Sequence, residues 1–127
     1  MRLRSTLSVI TTAALLLSPC LLGCGGGGTT TQVANEDNAI RVAASDRQDY
    51  NADIFEVAPG MVTFELSQVG IQEHTLVVEG WEDEMRLVVV DGGTDSGSID
   101  LEPGRYLLYC DIAGHRASGM EARLTVG

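Results

Sequence analysis

No lysine occurs anywhere in the chain, and its eight basic residues are all arginine, set against 18 acidic ones. That balance excludes a basic surface of the kind that binds nucleic acid or anionic lipid; it would either steer the protein toward a basic partner or serve solubility, as in a salty habitat. A sustained helical period is also missing. No stretch has the length or the 3.6-residue spacing of a good helix, so a helix bundle is excluded. A long apolar run is lacking as well. The stretch from Leu7 to Leu17 is too short, and too interrupted by Thr11, Thr12 and the following Ser18, to span a bilayer comfortably. The 127 residues suffice for one domain and not comfortably for two.

What stands at the N-terminus is a basic start, Met1-Arg2-Leu3-Arg4, then the short apolar stretch, then Leu21-Leu22-Gly23-Cys24. This is the layout of a secretory signal. Its last four residues resemble the bacterial lipobox, in which the cysteine is acylated and becomes the mature N-terminus. The expectation is therefore a signal peptide over residues 1–23, cleaved before Cys24, and an exported protein held by a lipid on Cys24 at a periplasmic or cell-surface membrane face. Residues 24–37, with Gly25 to Gly28 and Thr29 to Thr31, read as a flexible tether. The domain itself is expected over residues 38–127. All 18 acidic residues follow Cys24, whereas Arg2 and Arg4 precede it. The mature chain thus sets six arginines against 18 carboxylates, a net charge of −12.

Cysteine is scarce in a way that matters. Cys20 leaves with the signal and Cys24 carries the lipid, so Cys110 is the one free thiol and no intramolecular disulfide is possible. A lone thiol in an oxidising compartment needs an occupant, and a metal is the simplest.

From about Asn38 onward the chain reads as eight short strands separated by turns: Ile40 to Ala44, Ile54 to Val57, Met61 to Leu66, Thr75 to Glu79, Met85 to Val90, Ser98 to Leu101, Arg105 to Cys110 and Glu121 to Val126. Ala58-Pro59-Gly60 and Glu102-Pro103-Gly104 are turns. Asp91 to Gly97 reads as a polar loop, and Asp46 to Asp53 as room for a short helical turn. Eight such strands in a domain of this size predict an all-β, two-sheet antiparallel sandwich.

The chemistry lies in Tyr109 to Met120, YCDIAGHRASGM. It offers a thiolate, an imidazole and a thioether at Cys-x4-His-x4-Met spacing. Soft thiolate and thioether donors favour Cu(I), and imidazole suits both copper states. Two His and one Cys in a plane with a weak axial Met form the ligand set of a blue copper site. The second His can come only from His74. Strand parity brings it there: if the strand opening at His74 starts at the top of the sandwich, the strand ending at Cys110 finishes at the top and the one after Met120 begins there.

Tyr109-Cys110, Gly114-His115 and Gly119-Met120, with Pro103-Gly104-Arg105-Tyr106 upstream, resemble the ligand loop of the cupredoxins. The likeness runs from about Ile40 to the C-terminus and is strongest in the last thirty or so residues. It implies a Greek-key β-sandwich, a single type 1 copper and electron transfer rather than enzymatic catalysis. His74, Cys110 and His115 would be the equatorial ligands and Met120 the axial one. Tyr106 would close a Greek-key corner. The chain departs from the family at two places. Thr75 follows the first His where many members carry Asn, and Glu73 precedes it where azurin has Gly, whose carbonyl approaches copper.

Rival chemistries fit less well. Nucleophilic catalysis by Cys110, with His115 and Asp111 near in sequence, leaves His74 and Met120 unexplained. Zinc sites rarely include Met. A binuclear copper site needs a second Cys in the loop, and oxidase or reductase chemistry needs more His than two. The alternative from another class is a copper carrier or buffer without electron-transfer duty. For the electron carrier, the expected partner is a redox protein, basic in charge, of the cytochrome c or oxidase type, and the chain is expected to be a monomer. The edge of His115 should open outward through a rim of Ile112, Ala113 and Ala117, with Arg116 as a positive charge orienting the partner. Trp81 is expected to pack at a core edge, and Glu82-Asp83-Glu84 to form a solvated turn.

Overall fold

The computed structural model describes residues 28–127; the expected signal peptide and the lipidation residue Cys24 lie outside the described residues. Ten strands form two sheets. They are β1 (Thr31–Val33), β2 (Ala39–Ser45), β3 (Asp49–Tyr50), β4 (Ile54–Val57), β5 (Gly60–Val69), β6 (His74–Val78), β7 (Arg86–Val89), β8 (Thr94–Leu101), β9 (Gly104–Tyr109) and β10 (Glu121–Val126). One sheet has the order β1-β4-β10-β9-β6-β7, the other β3-β2-β5-β8.

The strands form where apolar residues alternate with polar ones, because successive side chains point to opposite faces. In β10 the order Glu-Ala-Arg-Leu-Thr-Val puts Ala122, Leu124 and Val126 into the core and the polar residues outside. Phe55, Phe64, Leu66, Leu76, Leu108 and Leu124 have no exposed surface. Each such burial contributes about 1.5–3 kcal/mol against exposure. These side chains are the filling between the sheets.

The sandwich is all-β, as expected, but four features differ from the reading above. The pairing is mixed: β4 runs parallel to β1 and β10, and β2 parallel to β5. Thr94 to Gly97 belongs to β8 rather than to a polar loop. Those residues pair with Phe64 to Ser67 of β5, so a partner strand overrides their turn-like composition. Asp46 to Asp53 holds no helix. Its Asp49 and Tyr50 form β3, which folds back on β2 through an Asn51 side chain bonded to the Ala43 amide and the Arg41 carbonyl. In addition, β1 pairs with β4 inside the stretch read as tether, so ordered structure reaches back to Thr31.

Two predictions about corners agree with the structure. The Tyr106 hydroxyl donates to the Glu102 carbonyl at 2.8 Å, closing the turn between β8 and β9. Trp81 packs half-buried against the core. In the sheet containing the chemistry, β6 is antiparallel to both β7 and β9, and β9 to β10. The start of β6, the end of β9 and the start of β10 therefore share one pole.

Candidate metal centre

His74 opens β6, where its backbone pairs with Val89. The turn before it is held from two sides. The Asp46 carboxylate accepts the Ile71 and Gln72 amides, each at 2.9 Å. The buried Gln68 side chain donates to the Gln72 carbonyl and accepts from the Gly92 amide. His74 is thus fixed by backbone on one side and by a tethered turn on the other.

Cys110 ends β9. Its amide donates to the Met120 carbonyl at 3.1 Å, which closes residues 111–119 into a loop. Within the loop the His115 amide reaches the Ile112 carbonyl, and the Met120 amide reaches the His115 carbonyl, both at 3.0 Å. Gly119, at φ 101°, takes the left-handed turn that sends the chain into β10. These bonds explain how a loop can present a side chain at a defined place.

The three donor groups of His74, Cys110 and His115 lie within 4.8 Å of one another, and all three residues are buried. The Cys110 Sγ is 3.5 Å from His115 Nδ1, and the two imidazole centroids are 5.1 Å apart. Met120 is fully buried at the head of β10. His74, Cys110 and Met120 have no exposed surface, whereas His115 keeps 8%. Ile112 is half-buried, and Ala113 and Ala117 are exposed around it.

The state of His74 tests whether these residues suit a metal. Among the described residues, its two ring nitrogens are the buried side-chain nitrogen and oxygen atoms without a hydrogen-bond partner. An orphaned buried polar atom costs about 1–3 kcal/mol. Burial first, and then the neighbouring His115, push the His74 pKa down, which keeps the ring neutral and its lone pair free. A neutral imidazole beside a thiol and a second imidazole is a metal-donor set rather than a packing arrangement.

Around the donors lies a network that residue types alone did not reveal. The Thr75 amide points at Cys110 Sγ from 3.4 Å. The Thr75 hydroxyl lies 2.7 Å from Asp111 Oδ1 and receives the Asp111 amide at 2.9 Å. Arg86 forks onto Asp111, Nε to Oδ2 at 2.6 Å and Nη2 to Oδ1 at 2.9 Å. That fork, then the Thr75 hydroxyl, holds the Asp111 carboxyl below the usual range. The Tyr50 hydroxyl, from the opposite sheet, donates to the Thr75 carbonyl at 2.7 Å. No signal in the sequence links Arg86 to Asp111, which stand 25 positions apart. The register does: Val77 pairs with Arg86 on one side and with Tyr109 on the other.

Arg116 is not the free charge expected. Its guanidinium is shared between Glu79, at 2.8 Å, and Glu121, at 3.3 Å, and stacks 4.2 Å above the Tyr109 ring. Two carboxylates outweigh it, so this flank of the loop is net negative.

No family model and no curated protein sequence matches the chain. Solved structures do share its fold. Dithionite-reduced auracyanin from the photosynthetic bacterium Roseiflexus castenholzii aligns with a TM-score of 0.64 at 21% identity, covering 74% of this chain and 98% of that one. Auracyanin A, a blue copper protein from the green thermophilic photosynthetic bacterium Chloroflexus aurantiacus, aligns at 0.59 and 17%, covering 70% and 98%. At these identities the likeness establishes the cupredoxin-like sandwich.

Proposed function

We propose that this protein is a single-electron carrier holding one type 1 copper ion through His74, Cys110, His115 and Met120. The observation that carries the reading is buried His74, whose ring nitrogens have no hydrogen-bond partner and which offers a donor atom within 4.8 Å of those of Cys110 and His115. The fold shared with two auracyanins, one of them described as a blue copper protein, supports it. When bound, the copper would supply one-electron exchange between Cu(II) and Cu(I).

The chain's own residues would do the rest. Cys110 and His74 would provide donors from two strand ends of one sheet, whose hydrogen bonds resist movement when the charge changes. Met120 would fill the remaining direction from the head of β10 and exclude water. His115, with the one exposed edge of the four residues, would be the route by which electrons enter and leave. The apolar Ile112, Ala113 and Ala117 would allow a partner to approach that edge without stripping charged groups of water.

The same reading includes export and an acyl anchor on Cys24, supported by the lipobox-like Leu21-Leu22-Gly23-Cys24. Among the described residues no helix is long and apolar enough to cross a membrane. The partner would be a redox protein. With six arginines against 18 carboxylates after Cys24, a basic one is favoured.

Adding Cu(II) to the purified protein tests the reading. An intense blue absorption from thiolate-to-copper charge transfer is expected, and should vanish in Cys110→Ser. A protein that takes up only Cu(I) and stays colourless would instead be a copper carrier or buffer.

A further inference from the structure

The Thr75 hydroxyl has one proton to give and two lone pairs to receive with. Three groups of this chain compete for it. The Asp111 amide takes one lone pair, at 2.9 Å. The proton then has two possible acceptors: Asp111 Oδ1 at 2.7 Å and Cys110 Sγ at 3.5 Å. An O–H···O⁻ bond of this length is among the strong hydrogen bonds, and sulfur is a weaker acceptor at longer range. Neither end of the Thr75–Asp111 contact is free to drift. Arg86 grips both oxygens of Asp111, and Tyr50 pins the Thr75 backbone through its carbonyl. The proton therefore goes to the carboxylate. Among the described residues, this leaves the Thr75 amide as the backbone donor on the Cys110 sulfur.

We propose that Asp111, clamped by Arg86, is a positioning residue that withholds the Thr75 hydroxyl proton from the Cys110 sulfur. The proposal rests on the copper reading above. A hydrogen bond to a thiolate draws electron density from it, weakens its donation to the oxidised metal and so favours the reduced state. Withholding that bond keeps the sulfur electron-rich and the reduction potential low. Thr75 by itself would act in the opposite direction. The residue after the first histidine and the residue after the cysteine are therefore a coupled pair, and the sign of the effect of Thr75 depends on its neighbour.

A double-mutant cycle on the copper-loaded protein separates this from a plain charge effect. Asp111→Ala releases the proton to sulfur. It should shift the electron-exchange equilibrium with a fixed partner about tenfold toward the reduced protein, about 59 mV for a one-electron couple. The thiolate-to-copper band should move to higher energy. In a Thr75→Val background the same replacement should shift the equilibrium less than about threefold and leave the band in place. Asp111→Asn keeps an acceptor without the charge and should hold the band at its native energy. Equal shifts in the wild-type and Thr75→Val backgrounds, or a band displaced by Asp111→Asn as far as by Asp111→Ala, would overturn the proposal. A wild-type protein that forms no blue site would defeat the copper reading instead. The proton assignment is then still decided in the metal-free protein by NMR. A slowly exchanging Thr75 hydroxyl proton that disappears in Asp111→Ala supports it, and one exchanging at the solvent rate in the wild type overturns it.

Discussion

Two arginines flank the loop that follows Cys110, and each is paired with carboxylate. Arg86 meets one acid, Asp111, through a two-pronged fork, and that acid holds a buried hydroxyl which touches the buried sulfur. Arg116 divides itself between Glu79 and Glu121 at the surface and lies across the Tyr109 ring. Counted as salt bridges, the second cluster looks richer. In consequence it is poorer, because water screens both arginines to a similar degree and the Arg116 carboxylates hold no buried group. The Arg86 pair matters through what its acid holds.

The comparison can be broken at its centre. Thr75→Val removes the acceptor of the Asp111 amide and the donor to its carboxylate, and only the Thr75 end of these bonds is fully buried. Unfolding in urea should show a loss of about 2 kcal/mol. Asp111→Ala leaves Thr75 in position but frees Arg86. After allowance for solvent screening at a half-exposed pair, the loss should be about 1 kcal/mol by the same measurement. Arg86→Lys keeps the charge and loses the fork. It should cost less than Asp111→Ala, and its charge-transfer band should broaden as Asp111 gains freedom. Arg116→Ala should leave the thermal midpoint and the band unchanged, and should alter only the salt dependence of association with a charged partner. An Arg116→Ala variant that moved the band as far as Asp111→Ala would erase the distinction between the two arginines.

The asymmetry also bears on what the sequence could disclose. The clustering of His74, Cys110 and His115 was legible because each belongs to a rare type in a spaced pattern. One free thiol, two histidines and alternating strands leave few ways to arrange them, and β6, β9 and β10 run in the directions that parity requires. The β4 and β10 strands carry their own bounds in their alternation. Composition misled where a neighbour decides: Thr94 to Gly97 looks like a loop until Phe64 to Ser67 pairs with it. It misled again at Arg116, where adjacency to His115 suggested a free charge and Glu79, 37 positions away, captures it. Thr75 stood out as a departure from a family pattern, but its partner did not, because Asp111 and Arg86 are ordinary surface residues until three strands bring them together.

The burial of Cys110 carries a consequence in time. Oxidation of a cysteine needs access for the oxidant, and Cys110 has no exposed surface. In the metal-free folded chain the thiol is therefore on a clock set by opening of the 111–119 loop rather than by the oxidant outside. The bonds from Cys110 to Met120 and from Met120 to His115 are the latch on that loop. A thiol-specific reagent would read the latch directly: its rate should plateau as reagent is added, at the rate at which the loop lets go.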